Sequence, residues 1–233
     1  MPSILVTGAS RGLGLEFARQ YCEAGWRVFA CCRNPEGAEK LNALIPAARG
    51  LLSVHRLDVT DPGQIDALAR DLRDERIDIL LNNAGVSGGN GRGSGLVGVD
   101  CEKWIAVFRV NAMAPLKMSE TFLEHVERSD RRIIAALSSR MGSIADNTSG
   151  GSYLYRSSKA AVNAAMKSLS IDLRNRKVTV LVLHPGWVRT DMGGPSATLS
   201  PAQSVAGMRK VLEAAGPDLS GRFISYDGSE IPW

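Results

Sequence analysis

Short β-rich apolar runs alternate with longer amphipathic stretches along the whole chain, and few folds accommodate that rhythm. The runs are Ser3–Thr7, Arg27–Cys31, Leu51–Leu57, Ile77–Leu81, Arg132–Leu137, Val178–Leu183 and Gly221–Tyr226. Helical periodicity occupies 12–24, 36–45, 62–74, 101–128, 155–174 and 201–215. Ile4-Leu-Val6 and Val178-Thr-Val-Leu-Val-Leu183 lack a polar alternation, which suits strands covered on both faces of a parallel sheet. Strand and helix alternating this regularly predict a doubly wound α/β domain, a parallel sheet of about seven strands with helices on both faces. No linker or composition shift divides the 233 residues, so the expectation is one domain over 1–233.

Composition narrows the partners. The chain is 44% apolar and 22% charged, ordinary globular values that exclude disorder and fibrous repeats. Its net charge of +4 forms no stripe: Arg131-Arg132 and the Arg174 to Lys177 cluster sit at element boundaries, and no nucleic-acid partner is expected. Cys22, Cys31, Cys32 and Cys101 show no ligand spacing, and the three histidines are scattered at 55, 125 and 184. No metal site is therefore expected. The aliphatic runs fall far short of the roughly 18 residues of a membrane span. No basic-then-apolar segment precedes Ile4, so a cytoplasmic protein without membrane insertion is expected.

Directly after the first run comes Thr7-Gly-Ala-Ser-Arg-Gly-Leu-Gly14, followed by a helical pattern. Glycines at 8, 12 and 14 permit a tight turn and close approach of backbone to a pyrophosphate, and the helix start adds free N–H groups. Ser10, Arg11 and Leu13 share this loop. Gly93-Ser-Gly95-Leu-Val-Gly98 fits the same glycine pattern, yet no strand immediately precedes it, so it reads as loop. The glycine-rich segment 85–98 and the Gly/Pro/Ser/Thr-rich segment 186–200 both follow strands and are candidate pocket rims. A cofactor with a free ribose 2′-hydroxyl usually meets an acid about 20 residues past the glycines. Here Val28-Phe-Ala-Cys-Cys-Arg33 offers a cation instead, with no acid between Glu23 and Glu36. Arg33, with Arg11 in reach, suits a 2′-phosphate of about −1.5 to −2 charges, which favours NADP(H).

Tyr155 and Lys159 stand at i and i+4 of a helical stretch, on one face. Bringing a phenol from pKa about 10 to about 7 takes roughly 4 kcal/mol. One ammonium at about 4 Å in an effective dielectric near 20 is sufficient for that. Tyr153 has Ser157 at the corresponding position and lacks such help.

The glycine loop, Asn82-Asn-Ala-Gly85, Asn111, Ser138-Ser139-Arg-Met-Gly142, Tyr155/Lys159 and Pro185-Gly-Trp-Val-Arg-Thr190 follow the order and spacing of short-chain dehydrogenases/reductases, which the chain resembles over its whole length. Val110-Asn-Ala-Met-Ala-Pro115, Ser138 to Ser143, His184 to Met192 and the ending Tyr226-Asp-Gly-Ser-Glu-Ile-Pro-Trp233 resemble more narrowly its C-factor/sniffer-like carbonyl reductase branch. The resemblance implies a Rossmann-like fold and a catalytic tetrad. Tyr155 would be the general acid, Lys159 would lower its pKa and hold the nicotinamide ribose, Ser139 would bond the substrate oxygen, and Asn111 would hold a relay water. It further implies that Asp58 and Val59 face the adenine, that Asn82, Ala84 and Gly85 pack along it, and that Pro185, Gly186, Val188 and Thr190 flank the nicotinamide. His184 departs from the wider superfamily and reads as structural; Trp187 reads equally as pocket wall or core.

The function so implied is NADPH-dependent reduction of an aldehyde or ketone, reversible as alcohol oxidation, with a small carbonyl or alcohol substrate. A nucleotide-bound, C-factor-like signalling protein is the alternative. A nucleotide-sugar epimerase would need a larger carboxyl-terminal region than the roughly 40 residues after Thr190. Relatives that pair the helices near 101–128 and 155–174 make a homodimer an expectation as well.

Overall fold

A computed structural model describes residues 1–88 and 99–233; the glycine pattern at 93–98 lies outside the described residues. Seven strands form one parallel sheet: β1 (Ser3–Thr7), β2 (Arg27–Cys32), β3 (Leu52–Arg56), β4 (Ile79–Asn82), β5 (Ile133–Leu137), β6 (Thr179–His184) and β7 (Arg222–Ser225). Their order is β3-β2-β1-β4-β5-β6-β7, and every neighbouring pair is parallel. The order reverses between β1 and β4, which opens a crevice at the carboxyl ends of those two strands.

Period-2 alternation sends consecutive side chains of each strand into two separate cores. Ile4 and Val6 pack with Phe17, Ala18 and Met208 under α1 (Gly12–Glu23) and α8 (Pro201–Glu213). Leu5, Phe29 and Leu80 pack with Phe122, Val162 and Met166 on the opposite face, beneath α3 (Pro62–Asp71), α5 (Ala114–Thr121) and α7 (Tyr153–Asp172). Each such side chain, taken wholly out of water, contributes about 1.5–3 kcal/mol, so the sheet is a rigid base for the loops at its carboxyl edge. The helix starts are chemically marked. Asp61 caps α3 ahead of Pro62, and Ser200 with Gln203 forms a reciprocal capping box on α8.

The strands lie where the apolar runs place them; the helices differ in three places. The pattern over 36–45 forms a single turn, α2 (Glu39–Asn42), because Pro35, Gly37 and Pro46 bracket it. The stretch 101–128 is not one helix. It comprises α4 (Cys101–Phe108), a π-turn over Arg109–Met113, α5 and α6 (Leu123–Glu127). Pro115 has no N–H to donate to the carbonyl of Asn111, and the backbone widens into the π-turn just ahead of it. Finally, α7 begins at Tyr153, two residues earlier than the periodicity indicates, after a left-handed Ser152.

Candidate active site

The crevice is built first from backbone. Gly8 and Gly12 adopt positive φ of 68° and 57°, conformations that glycine reaches without strain. A Cβ on Gly14 would stand 2.3 Å from the Gly8 carbonyl oxygen, and one on Gly8 would stand 3.0 Å from Ala84 Cα. The loop therefore closes on itself and on the exit of β4. Thr7 Oγ1 accepts bonds from the Asn83 and Ala84 amides, both at 3.0 Å. Asn83 Nδ2 in turn donates to the carbonyls of Thr7 (2.7 Å) and Gly8 (3.2 Å). Helix α1 starts at Gly12 with no side-chain cap, leaving its first amides to a ligand. This cradle, with Ser10 and Leu13 half-buried along it, fits a dinucleotide pyrophosphate.

Asn83, and not Asn82, ties the loop to β4. Asn82 is the last residue of the strand and buried; its Nδ2 lies 3.5 Å from Ser119 Oγ on α5. Asn83 is the first residue past the strand, and its side chain turns back to the carbonyls of the glycine loop.

At the ends of β2 and β3, Arg33 is exposed, and Arg56, which sequence reasoning did not single out, pairs with Glu36 at 2.7 Å. Burial raises the Asp58 carboxyl, but two bonds from Thr60 and the Arg33 charge outweigh it and hold the acid below its usual range. Val59 packs against the second core. Arg11 does not turn toward this end: its guanidinium meets Asp191 at 2.9 Å, both side chains exposed. Chain neighbours of Gly12 thus bind the segment after β6, where Thr190 Cγ2 also approaches Gly12.

The tetrad residues converge. Ser138 is buried against the α7 backbone, its hydroxyl donating to the Lys159 carbonyl at 3.4 Å. Ser139 opens a 3-10 turn, Arg140–Gly142, and its Oγ accepts from the Met141 amide at 3.2 Å. Its hydroxyl is also hydrogen-bonded to the Tyr155 phenol. Lys159 is buried and donates to the Leu137 carbonyl at 2.8 Å, with Nζ 5.7 Å from the Tyr155 ring centre. Asn111, in the π-turn, donates to Val86 O (2.8 Å) and Ser158 Oγ (3.0 Å) and accepts from Val86 N (2.9 Å). A Cβ on Gly85 would lie 3.4 Å from Asn111 Oδ1 and 3.6 Å from Lys159 Nζ, so both groups border one small space.

The electrostatics differ from the sequence expectation. Burial pushes the Tyr155 phenol up to about 12, and only the Ser139 bond opposes it. Burial pushes Lys159 down to about 8. Lys159, tied to Leu137, does not bring the phenol toward neutrality in this state. Desolvation opposes charge on both groups.

The segment after β6 forms the remaining wall. Gly186 has φ of 79°, and a Cβ there would strike Leu199 Cδ1 at 2.4 Å. The Pro185 carbonyl accepts from Ser204 Oγ at 2.6 Å, Val188 is buried in a bridge to Leu199, and Thr190 Oγ1 accepts from the Gly193 amide. Trp187 is 44% exposed, its Nε1 donating to Gly193 O, which places it outside the core. Among the described residues, no group of three His, Cys, Asp or Glu could hold a metal, and no helix is long and apolar enough to cross a membrane.

His184 accepts from the Arg140 amide through Nδ1 at 3.3 Å. Burial, helped by the Arg140 charge, pushes it down to about 4. The folded protein thus holds this ring neutral, whereas the unfolded chain protonates it below about 6.5. Between those values the unfolded state binds more protons, so stability rises with pH and is lost on acidification. The expected contribution is about 2–3 kcal/mol between pH 6.5 and 4. Thermal unfolding at pH 7 and pH 5 checks it: His184→Asn should show a smaller fall in melting temperature than the parent, and an equal fall would refute the assignment.

Comparison with known proteins identifies the family. The family model described as short chain dehydrogenase matches residues 2–198. C-signal of Myxococcus xanthus is 47% identical over 157 residues, covering 67% of this chain and 93% of that protein. The carbonyl reductase Sniffer of D. melanogaster superposes with a TM-score of 0.93 at 32% identity, over all of both chains. A putative short-chain dehydrogenase/reductase from Burkholderia multivorans with bound NADP superposes at 0.92 and 36% identity, over 100% of this chain and 99% of that one. The family match spans most of the chain and the two superpositions span all of it, so the chain belongs to the short chain dehydrogenase family.

Proposed function

We propose that this protein is an NADPH-dependent reductase of aldehydes or ketones, with Tyr155 as general acid and the reverse alcohol oxidation open to it. One observation carries this reading: a half-buried tyrosine, its phenol hydrogen-bonded to Ser139, stands one helical turn from a buried lysine beside a glycine cradle. The reduced nicotinamide supplies the hydride when bound. The glycine loop holds its pyrophosphate, Arg33 its 2′-phosphate, Asp58, Val59, Ala84 and Gly85 its adenosine, and Pro185, Gly186, Val188 and Thr190 its nicotinamide side.

The chain's own residues do the rest. Tyr155, held protonated at neutral pH by burial, gives its proton to the carbonyl oxygen. Ser139 Oγ, fixed by the Met141 amide, turns its O–H from the Tyr155 phenol to the same oxygen as charge develops. Lys159, charged at neutral pH, stabilises the tyrosinate that remains. Asn111 Oδ1, which accepts from Val86 N, also borders the space beside Lys159, where a water can return a proton. A panel of carbonyl compounds with NADPH consumption followed at neutral pH tests the reading; turnover of at least one aldehyde or ketone is expected.

The 47% identity to C-signal supports a second reading, a nucleotide-bound signalling protein. NADPH binding without turnover of any carbonyl or alcohol in the panel would favour it.

The protein forms a homodimer in this proposal, through α4, α5 and α7. Ile105, Met113 and Leu116 are 48%, 62% and 41% exposed along α4–α5, and Ile171 is exposed on α7. Apolar side chains in such number on adjacent helices are what a second copy would cover. Sedimentation at micromolar concentration should show twice the 25.0 kDa chain mass. A single species of the chain mass would reject it.

A further inference from the structure

The ending Tyr226 to Trp233 is used by none of the roles above, yet it reaches the active site. After β7 the chain turns back on itself. Ser225 N donates to Ser229 O and Ile231 N to Phe223 O, both at 2.8 Å, and Ile231 is buried in the core beneath α7. Trp233 then stacks on Phe223, ring centres 5.6 Å apart. Its main-chain oxygen receives three donors: Ile144 N at 3.1 Å, Ala145 N at 3.0 Å and Ser143 Oγ at 3.2 Å. These three residues follow directly on the turn that Ser139 opens.

The other side of that turn is pinned to α7. Arg156 donates to Met141 O and Asn163 to Gly142 O, both at 3.3 Å. A Cβ on Gly142 would stand 2.7 Å from Lys159 Cβ, so the turn rests on the catalytic helix itself. Ser139 is thus placed between two supports, α7, which carries Tyr155 and Lys159, and the Trp233 clamp.

We infer that Trp233 is a positioning residue: stacked on Phe223, it holds residues 143–145 through its main-chain oxygen and so sets the separation of Ser139 from Tyr155. The inference rests on Ser139 facing the substrate oxygen, as proposed above. The stack supplies the anchor and the three donors supply the reach. A misplacement of about 1 Å at a reacting group is costly even when its cause is remote.

Three variants and two readouts test it. Trp233→Ala should lower kcat for carbonyl reduction about tenfold and leave the NADPH Kd unchanged, since the glycine loop and Arg33 are untouched. Trp233→Phe keeps the stack and should restore most of kcat. Ser143→Ala removes one of the three donors and should lower kcat by a smaller factor, which keeps the test open should Trp233→Ala fail to fold. Hydrogen exchange is read alongside, on the parent and each folded variant. In Trp233→Ala the Ile144 and Ala145 amides should exchange faster, and so should Met141, whose amide donates to Ser139 Oγ and therefore reports on that side chain. Faster exchange at 144 and 145 with Met141 and kcat as in the parent would overturn the inference; so would a parent kcat in Ser143→Ala if Trp233→Ala does not fold. If the parent reduces no carbonyl, the reading of the function falls, and the Met141 amide alone still decides whether Trp233 positions Ser139.

Discussion

Tyr155→Phe should lower carbonyl reduction by about 10²–10⁴-fold, the usual contribution of a general acid, while NADPH binds as tightly as before. The substitution removes one oxygen. The ring still packs, and the bond lost is the one to Ser139. Because burial pushes the phenol up to about 12, the parent carries its acidic proton throughout the neutral range. The loss should therefore be of similar size at pH 6 and pH 8, which distinguishes removal of a proton donor from a shifted titration. Tyr153→Phe is the control. Tyr153 is half exposed at the first position of α7 and should stay near the parent rate. Lys159→Ala should fail differently, losing rate and also weakening cofactor, because its ammonium would serve both tyrosinate and ribose. Its removal also frees the Leu137 carbonyl in a dry site, and thermal melts must accompany the kinetics. A Tyr155→Phe enzyme turning over at the parent rate would remove Tyr155 from the mechanism.

What the sequence could show depended on whether the determinant was local. The seven strands were legible because a run such as Val178 to Leu183 is apolar on both faces, and only a sheet covered on both sides accommodates it. The glycine loop was legible because φ near +60° and contacts under 3.1 Å leave glycine as the residue that fits. Over 101–128 the helical periodicity runs past a proline that it does not register: Pro115 breaks the ladder at Asn111, and that break puts Asn111 in a π-turn beside Lys159. Other features were out of reach. Arg11 and Asp191 are 180 residues apart, and no local pattern couples them. The directions in which Tyr155 and Lys159 titrate follow from burial among α7, β5 and the turn at 139–142, which spacing alone does not report. The clamp by Trp233 likewise joins positions 90 apart.

Arg33→Ala should weaken NADPH at least tenfold and leave NADH nearly unchanged. A charge-assisted hydrogen bond contributes about 1.5–3 kcal/mol, and every 1.4 kcal/mol is tenfold in affinity. NADH has no 2′-phosphate and so has nothing to lose there. The surroundings of Arg33 favour this division. No carboxylate stands at the end of β2 to hold a ribose 2′-hydroxyl; Glu36 is engaged by Arg56, and Asp58 by Thr60. Arg11→Ala should cost less than Arg33→Ala. Its guanidinium must first leave Asp191, but that pair is exposed on both sides, and surface pairs contribute about 0–1 kcal/mol. Asp191→Asn should then strengthen NADPH slightly by freeing Arg11, an effect absent in the Arg11→Ala background. Raising the salt concentration should narrow the gap between the two cofactors, because the phosphate contact is exposed and screened. Fluorescence titration of both reduced cofactors reads all of these, and equal affinity of the parent for NADH and NADPH would overturn the role given to Arg33.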